Sequence, residues 1–237
     1  MVEGTENYQI KDMDLPLHQG RFLLLKKDEP YTVAFENKRH LTQGVCIDLN
    51  LDTNEKLINL YNNELLFKTS FSCGGSSALG NALQHLWPKP DQKTDAIALL
   101  DSISSQLVSF SKEVFELQSR LGIYVKKIET KRMLLCKLMA SKDFIYQNYT
   151  HKITLDQLSR ESGISKFHFS RLFKNCFHRS PLELQELLRM QKAQKMMLTK
   201  EMRITDIAFC LGYSDLAAFS NQFKKHFGRP PSSFFED

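Results

Sequence analysis

Several features are missing from this 237-residue chain, and each absence narrows what it can do. Nowhere do about 18 apolar residues run uninterrupted, so no segment reads as a membrane-spanning helix. The start, MVEGTENYQIKDMD, has neither the basic end nor the apolar stretch of a signal peptide, and the expectation is a protein that stays in the cytosol. The five cysteines (Cys46, Cys73, Cys136, Cys176, Cys210) are odd in number and include no C-x-x-C pair. That argues against a disulfide framework and a zinc ribbon, and we read them as small buried apolar residues. His18, His40 and His85 lack metal-ligand spacing, so neither a metal nor any other cofactor is assigned. Cys73 and Ser76 have no histidine or acid at a spacing that suggests a nucleophile with its base, so catalysis is not expected. The stretch CGGSSALG (Cys73 to Gly80) lacks the G-K-[ST] of a phosphate loop and reads as a loop and helix start.

What is present is unevenly distributed. Residues 1–130 carry 14 Lys and Arg against 17 Asp and Glu, a net −3, whereas residues 131–237 carry 18 against 10, a net +8. A basic segment beside an acidic one suits nucleic acid, because phosphates attract Lys and Arg whatever their sequence; a solvated basic face without a partner is the plain alternative.

Along the first half, RFLLLKKDEPYTVAF and HLTQGVCIDLNL offer two strand-like runs, and ALGNALQHLW offers a helix stopped by Pro88 and Pro90. From Thr94 onward Ile97, Leu100, Ile103, Leu107, Phe110, Val114 and Leu117 keep one stripe at spacings of three and four. Such an amphipathic helix either covers the sheet or pairs with its twin in another subunit. The pattern fails over Gly122 to Thr130, which places the domain boundary there: an effector or dimerisation region over 1–125 and a second domain over 131–237.

The second domain reads as helices with short connections. Thr154-x-x-Gln157 and Ser180-Pro181-Leu182-Glu183 are capping boxes, Ser165 and Ser214 read as further caps, and Gly163 and Gly212 as stops. FSRLFKNCFHRSP (Phe169 to Pro181) and FSNQFKKHFGRPP (Phe219 to Pro231) share seven of thirteen positions, 50 residues apart. Gly163-Ile164-Ser165 likewise recurs as Gly212-Tyr213-Ser214. Each copy is a helix, a glycine turn and a second helix, the helix-turn-helix arrangement whose second helix enters a major groove of DNA. The units span about 155–176 and 204–227. In the first reading helix Phe169, Leu172, Phe173 and Cys176 fall on a core side, and Phe167, Ser170, Arg171 and Lys174 on the other; in the second, Phe219, Phe223 and Phe227 leave Ala217, Ser220, Asn221 and Lys224 free. Cores agree and free faces differ, as two readers of different base pairs would.

ITLDQLSRESGISKFHFSRLFK, LLRMQKAQKMML and ITDIAFCLGYSDLAAFSNQFKKHFGRPPSSF together resemble the DNA-binding domain of the AraC/XylS family of bacterial transcription regulators, over about Lys131 to Phe235. The resemblance implies a mainly α protein: a seven-helix domain with two helix-turn-helix motifs that binds double-stranded DNA and activates or represses transcription, with RNA polymerase as a partner. Carried over residue by residue, it implies base contacts from Phe167, Ser170 and Arg171 in the first unit and from Leu216, Ala217 and Asn221 in the second. Arg171 suits guanine, Asn221 adenine, and Leu216 or Ala217 a thymine methyl. Lys166, Lys174, Lys224 and Lys225 look like phosphate contacts. The chain departs from the pattern at Asn221, where many members carry Arg, at the apolar Leu216 and Ala217, at Arg203 in place of a capping residue, and at Phe235 in place of a terminal Arg.

The front half resembles the end of the family's cupin-like sensor, a small α+β region with a partial sheet, strands at about 21–50 and helices at about 76–120, in which the earlier strands are missing. The resemblance allows a small-molecule effector there, and a homodimer through the helix at about 95–120. Phe22, Leu24, Phe35 and Trp87 either line a cavity or pack a core. Besides a sequence-specific regulator, a second reading stays open: an interaction protein that titrates a related regulator and binds DNA without specificity.

Overall fold

A computed structural model describes residues 5–11, 13–26, 29–35, 64–67, 69–73, 77–85 and 96–234. The chain divides into two compact units, Met1–Asp143 and Phe144–Asp237.

The first unit holds β1 (Thr5–Ile10), β2 (Met13–His18), β3 (Arg21–Leu23), β4 (Tyr31–Phe35), α1 (Glu64–Phe67), β5 (Ser70–Ser72), α2 (Ala78–His85) and α3 (Ala96–Gly122). Two strands therefore precede the first one expected at Arg21, which corrects the reading that the earlier strands are missing. β1 pairs antiparallel with β2 on one side and β4 on the other, with Tyr8 opposite both Leu15 and Val33. In β2 the alternation is one-sided: Leu15 and Leu17 are buried while Asp14, Pro16 and His18 face solvent. Pro16 is tolerated because β2 is an edge of that sheet.

β3 and β5 form a separate antiparallel ribbon in which Phe22 stands opposite Phe71. Both rings meet Phe110 of α3, at centroid distances of 5.7 and 4.8 Å. Ile103, Leu107, Phe110, Val114 and Leu117 of the expected stripe are all buried, together with Leu121. Through Phe110 the stripe packs on the ribbon; Phe115, on the other side of α3, is 62% exposed. Glu113 of α3 holds Lys142 at 2.7 Å, fastening the next helix, α4 (Ile128–Asn148). GVCIDLNL, His40, Cys46, Trp87 and the side chain of Phe35 lie outside the described residues.

After α4, the second unit contains α5 (Leu155–Ser162), α6 (Lys166–Phe177), α7 (Pro181–Thr199), α8 (Ile204–Cys210) and α9 (Leu216–Phe227), closed by a 3-10 turn over Pro231–Phe234. With α4 these make seven helical segments, six of them α. α7 opens on a complete capping box: Glu183 N–H donates to Ser180 Oγ, and Ser180 N–H donates to the Glu183 carboxylate at 2.6 Å. The Ser180 backbone N–H, helped by the Ser180 side chain, favours the charged form and holds the Glu183 carboxyl below its ordinary value. One core joins α7, α8 and α9 through Met190, Ala193, Met197, Ile207, Ala208, Leu211, Phe219 and Phe223.

Of the described cysteines, Cys176 is buried, Cys73 and Cys136 are half-buried, and Cys210 is exposed, against the expectation of burial. Its place on the last turn of α8, away from Ile207 and Ala208, explains this. Burial pushes the Cys73 and Cys136 thiols up.

Candidate nucleic-acid interface

The two units of the repeat end their first helices by the same local chemistry but start their helices differently, and Ser165, expected to cap α6, makes no side-chain capping bond. α5 starts where Thr154 Oγ1 accepts the Gln157 N–H at 3.1 Å, although the Gln157 side chain reaches forward to Glu161 rather than back, so half of the expected capping box forms. α5 ends at Gly163, with φ 61°, its N–H bonded to Arg160 O and the Ile164 N–H to Ser159 O. α8 ends the same way: Gly212, with φ 80°, donates to Phe209 O, and Tyr213 to Ala208 O. Both are Schellman turns, in which a left-handed residue lets the chain reverse, and glycine adopts that conformation without a Cβ penalty.

The second unit begins without a side-chain cap, as the Arg203 departure suggested. Instead the guanidinium holds both Asp206 carboxylate oxygens, at 2.8 and 3.1 Å, and keeps the Asp206 carboxyl below its usual range. The cap of α9 is Asp215 and not Ser214: Asp215 Oδ1 accepts the Ala218 N–H at 2.7 Å, while Ser214 donates to the other carboxylate oxygen. The second copy has one more residue between its glycine and its first core phenylalanine, which moves the cap position one place along.

The recurrent phenylalanines are an aromatic ladder on each reading helix. Phe169–Phe173 and Phe173–Phe177 have centroid separations of 5.7 and 4.6 Å; Phe219–Phe223 and Phe223–Phe227 repeat them at 5.6 and 4.5 Å. Offset and tilted ring pairs of this kind stabilise beyond their burial, by about 0.5–1.5 kcal/mol each. Phe169, Phe173, Phe219 and Phe223 are wholly buried, so the opposite side of each helix is turned outward.

On α6 that outward side carries Lys166, Phe167, Arg171 and Lys174, with Ser170 half-buried at its edge. Phe167 is 90% exposed. The Arg171 guanidinium approaches His168 Nδ1 at 3.5 Å. Lys166 is ion-paired with Asp156 of α5. On α9 the corresponding side carries Leu216, 39% exposed, with Ala217, Asn221, Lys224 and Lys225 also exposed. Asp156 and His168 were not singled out from the sequence; the i, i+3 spacing of His168 and Arg171 was legible, whereas the Asp156–Lys166 pair depends on how two helices meet.

Among the described residues no group of three or more His, Cys, Asp or Glu could hold a metal ion, and no helix is long and apolar enough to cross a membrane. Two helix-turn-helix units with buried aromatic spines and outward basic faces define a DNA-binding protein. A helix-turn-helix domain family model matches residues 158–237, across both units. The probable transcription factor PqrA of Proteus vulgaris is 38% identical over 85 residues, covering 36% of this chain and 70% of that protein. An uncharacterized HTH-type transcriptional regulator, YdeC of Bacillus subtilis, is 21% identical over 247 residues, 99% of this chain and 81% of that one. Among solved structures, the C-terminal domain of AraT, a response regulator from Geobacillus stearothermophilus, is 27% identical with a TM-score of 0.40, covering 41% of this chain and 82% of that one. The chain belongs to the AraC/XylS family of bacterial transcription regulators.

Proposed function

We propose that this regulator reads two adjacent major-groove segments of one asymmetric DNA site, α6 in one groove and α9 in the next. The observation that carries the reading is the pair of aromatic ladders with matching ring spacings and unlike outward faces: the shared side builds the unit and the divergent side supplies the message. The α7 spacer has 19 residues, about 28 Å at about 1.5 Å per residue. With the width of two units added, that suits grooves about 34 Å apart.

In this reading Arg171 pairs with guanine, Asn221 with adenine, and Phe167, Leu216 and Ala217 lie against thymine methyls, with Ser170 adaptable to either base of a pair. Lys174, Lys224 and Lys225 neutralise phosphates, joined by Lys166 once Asp156 releases it. Residues 1–143 form the effector or dimerisation module. A second copy would use the side of α3 that carries Phe115, since the apolar stripe is occupied within the unit. The bound protein acts on transcription through RNA polymerase, in the cytoplasm.

Selection of bound duplexes from a random double-stranded library, at near-physiological salt, tests the reading. Two enriched blocks about a helical turn apart are expected. A single block would leave the second copy as a phosphate clamp, and salt-dependent binding without enrichment would favour a titrating partner instead.

A further inference from the structure

A cluster of polar side chains ties together the entry to the first unit, the spacer helix and the turn of the second unit. α4 ends at Asn148, and the next three carbonyls point onto α7. Gln185 Nε2 donates to Tyr149 O at 3.0 Å and to His151 O at 2.6 Å. Arg189 Nε donates to Tyr149 O at 2.7 Å, and its Nη2 reaches His151 O at 3.1 Å and Thr150 O at 3.4 Å. A cation at the carbonyl end of a helix is favoured, and a planar guanidinium fork fixes an orientation that a lysine would leave loose. Three residues further on, Thr154 caps α5, so these bonds set how the chain enters the first unit.

The other face of Arg189 lies over the ring of Tyr213, 5.2 Å from its centroid. Tyr213 follows Gly212 in the turn of the second unit, its hydroxyl donates to Glu186, and its ring meets Phe219 edge-on at 5.3 Å. Burial and the neighbouring Glu186 carboxylate push the Tyr213 hydroxyl well above its ordinary value, so it stays a donor. Gly212 itself presses on the same place: a Cβ there would overlap the Thr150 carbonyl and come within 3.0 Å of Arg189 Nη2. One arginine thus touches the root of the first unit and the turn of the second.

We propose that Gln185, Glu186, Arg189 and Tyr213 are positioning residues that fix the offset between the two reading helices, so that the protein accepts its two blocks of base pairs at a single spacing. The inference rests on the two-block reading. Apolar packing among Met190, Met197, Ile207 and Phe219 supplies adhesion but tolerates sliding; the directional bonds to three successive carbonyls do not.

The test is equilibrium binding of the full chain, by fluorescence anisotropy, to its selected duplex and to versions with one or two base pairs inserted or removed between the blocks. Each inserted pair turns one block about 34–36° relative to the other. The wild-type chain is expected to lose about tenfold or more in affinity per step, comparable to a mismatched base pair. Tyr213→Phe keeps the ring and removes only the hydroxyl, and Arg189→Lys keeps the charge and removes the fork. Each is expected roughly to halve the logarithmic loss while base preference within each block stays unchanged. A purely structural role would lower affinity for all spacings alike. Folded variants, judged by far-UV circular dichroism, that keep the wild-type spacing penalty overturn the inference; should Arg189→Lys unfold, Tyr213→Phe decides. A wild-type chain indifferent to spacing overturns the two-block reading, and this inference with it.

Discussion

Replacing Asp156 by Asn should strengthen DNA binding, and the size of the effect follows from the ion pair it breaks. Asp156 holds Lys166, with the two side chains 63% and 45% exposed. Water and salt screen such a pair, so it is worth about 0.2–1 kcal/mol. If a phosphate has to displace the aspartate from Lys166, removing the charge returns that energy to binding, a gain of about 1.4- to 5-fold, since 1.4 kcal/mol corresponds to a factor of about ten. The salt dependence is the control: Lys166 meets the same phosphate in both proteins, so the slope of log K against log salt should hold for Asp156→Asn and flatten by about 0.9 for Lys166→Ala. Asn keeps the shape of the side chain and one acceptor oxygen while removing the charge. Losing an acid from the first turn of α5 costs about 0.3–1 kcal/mol of helix stability, which a thermal melt measures separately. The assay is a titration series at several salt concentrations with wild type, Asp156→Asn, Lys166→Ala and the double variant. The double variant should return to the slope of Lys166→Ala. An affinity unmoved by Asp156→Asn, or a slope that stays steep in the double variant, refutes the argument.

Three further outcomes follow from the geometry. Gly212→Ala combines a left-handed backbone, costing about 1–2 kcal/mol for an L-residue, with overlap on the Thr150 carbonyl; urea unfolding monitored by circular dichroism should show a clear loss of stability, and a wild-type midpoint would contradict it. The Glu183 carboxyl lies below its unfolded value, so its capping contribution is complete above the pKa of an unfolded glutamate and fades as pH falls through the lowered folded value. Ser180→Ala should therefore lower Tm at neutral pH and lower it less in acid; an equal shift at both would count against the capping box as its origin. Lys174→Ala should weaken binding to all sequences alike and flatten the salt slope by about 0.9, and a change confined to one base position would make it a base reader instead.

The repeat was legible because a phenylalanine every fourth residue has only one helical use, an inward stripe, and Phe169, Phe173, Phe219 and Phe223 are wholly buried. The stripe of α3 was equally plain, but its partner was not: Phe22 and Phe71 belong to strands almost 50 residues apart in the chain, and nothing local announces that they meet Phe110. β1 and β2 escaped notice because TENYQI is mostly polar and MDLPLH is short and broken by a proline, with Ile10, Leu15 and Leu17 as their buried residues. The cap of α9 was misplaced by one residue because the second copy is one residue longer before its ladder. The Arg189 cluster joins groups 34 to 40 residues apart through backbone carbonyls, which carry no sequence signal.

The central claim is that α6 and α9 read different blocks of one site. Repeating the duplex selection with Arg171→Ala and with Asn221→Ala, beside the wild-type chain, tests it most directly. The account predicts that each variant relaxes preference at about one base pair, at a cost of about 1–3 kcal/mol there, and that the two relaxed positions lie in different blocks about a helical turn apart. Relaxation of the same block by both variants, or an even loss across every sequence, would contradict it.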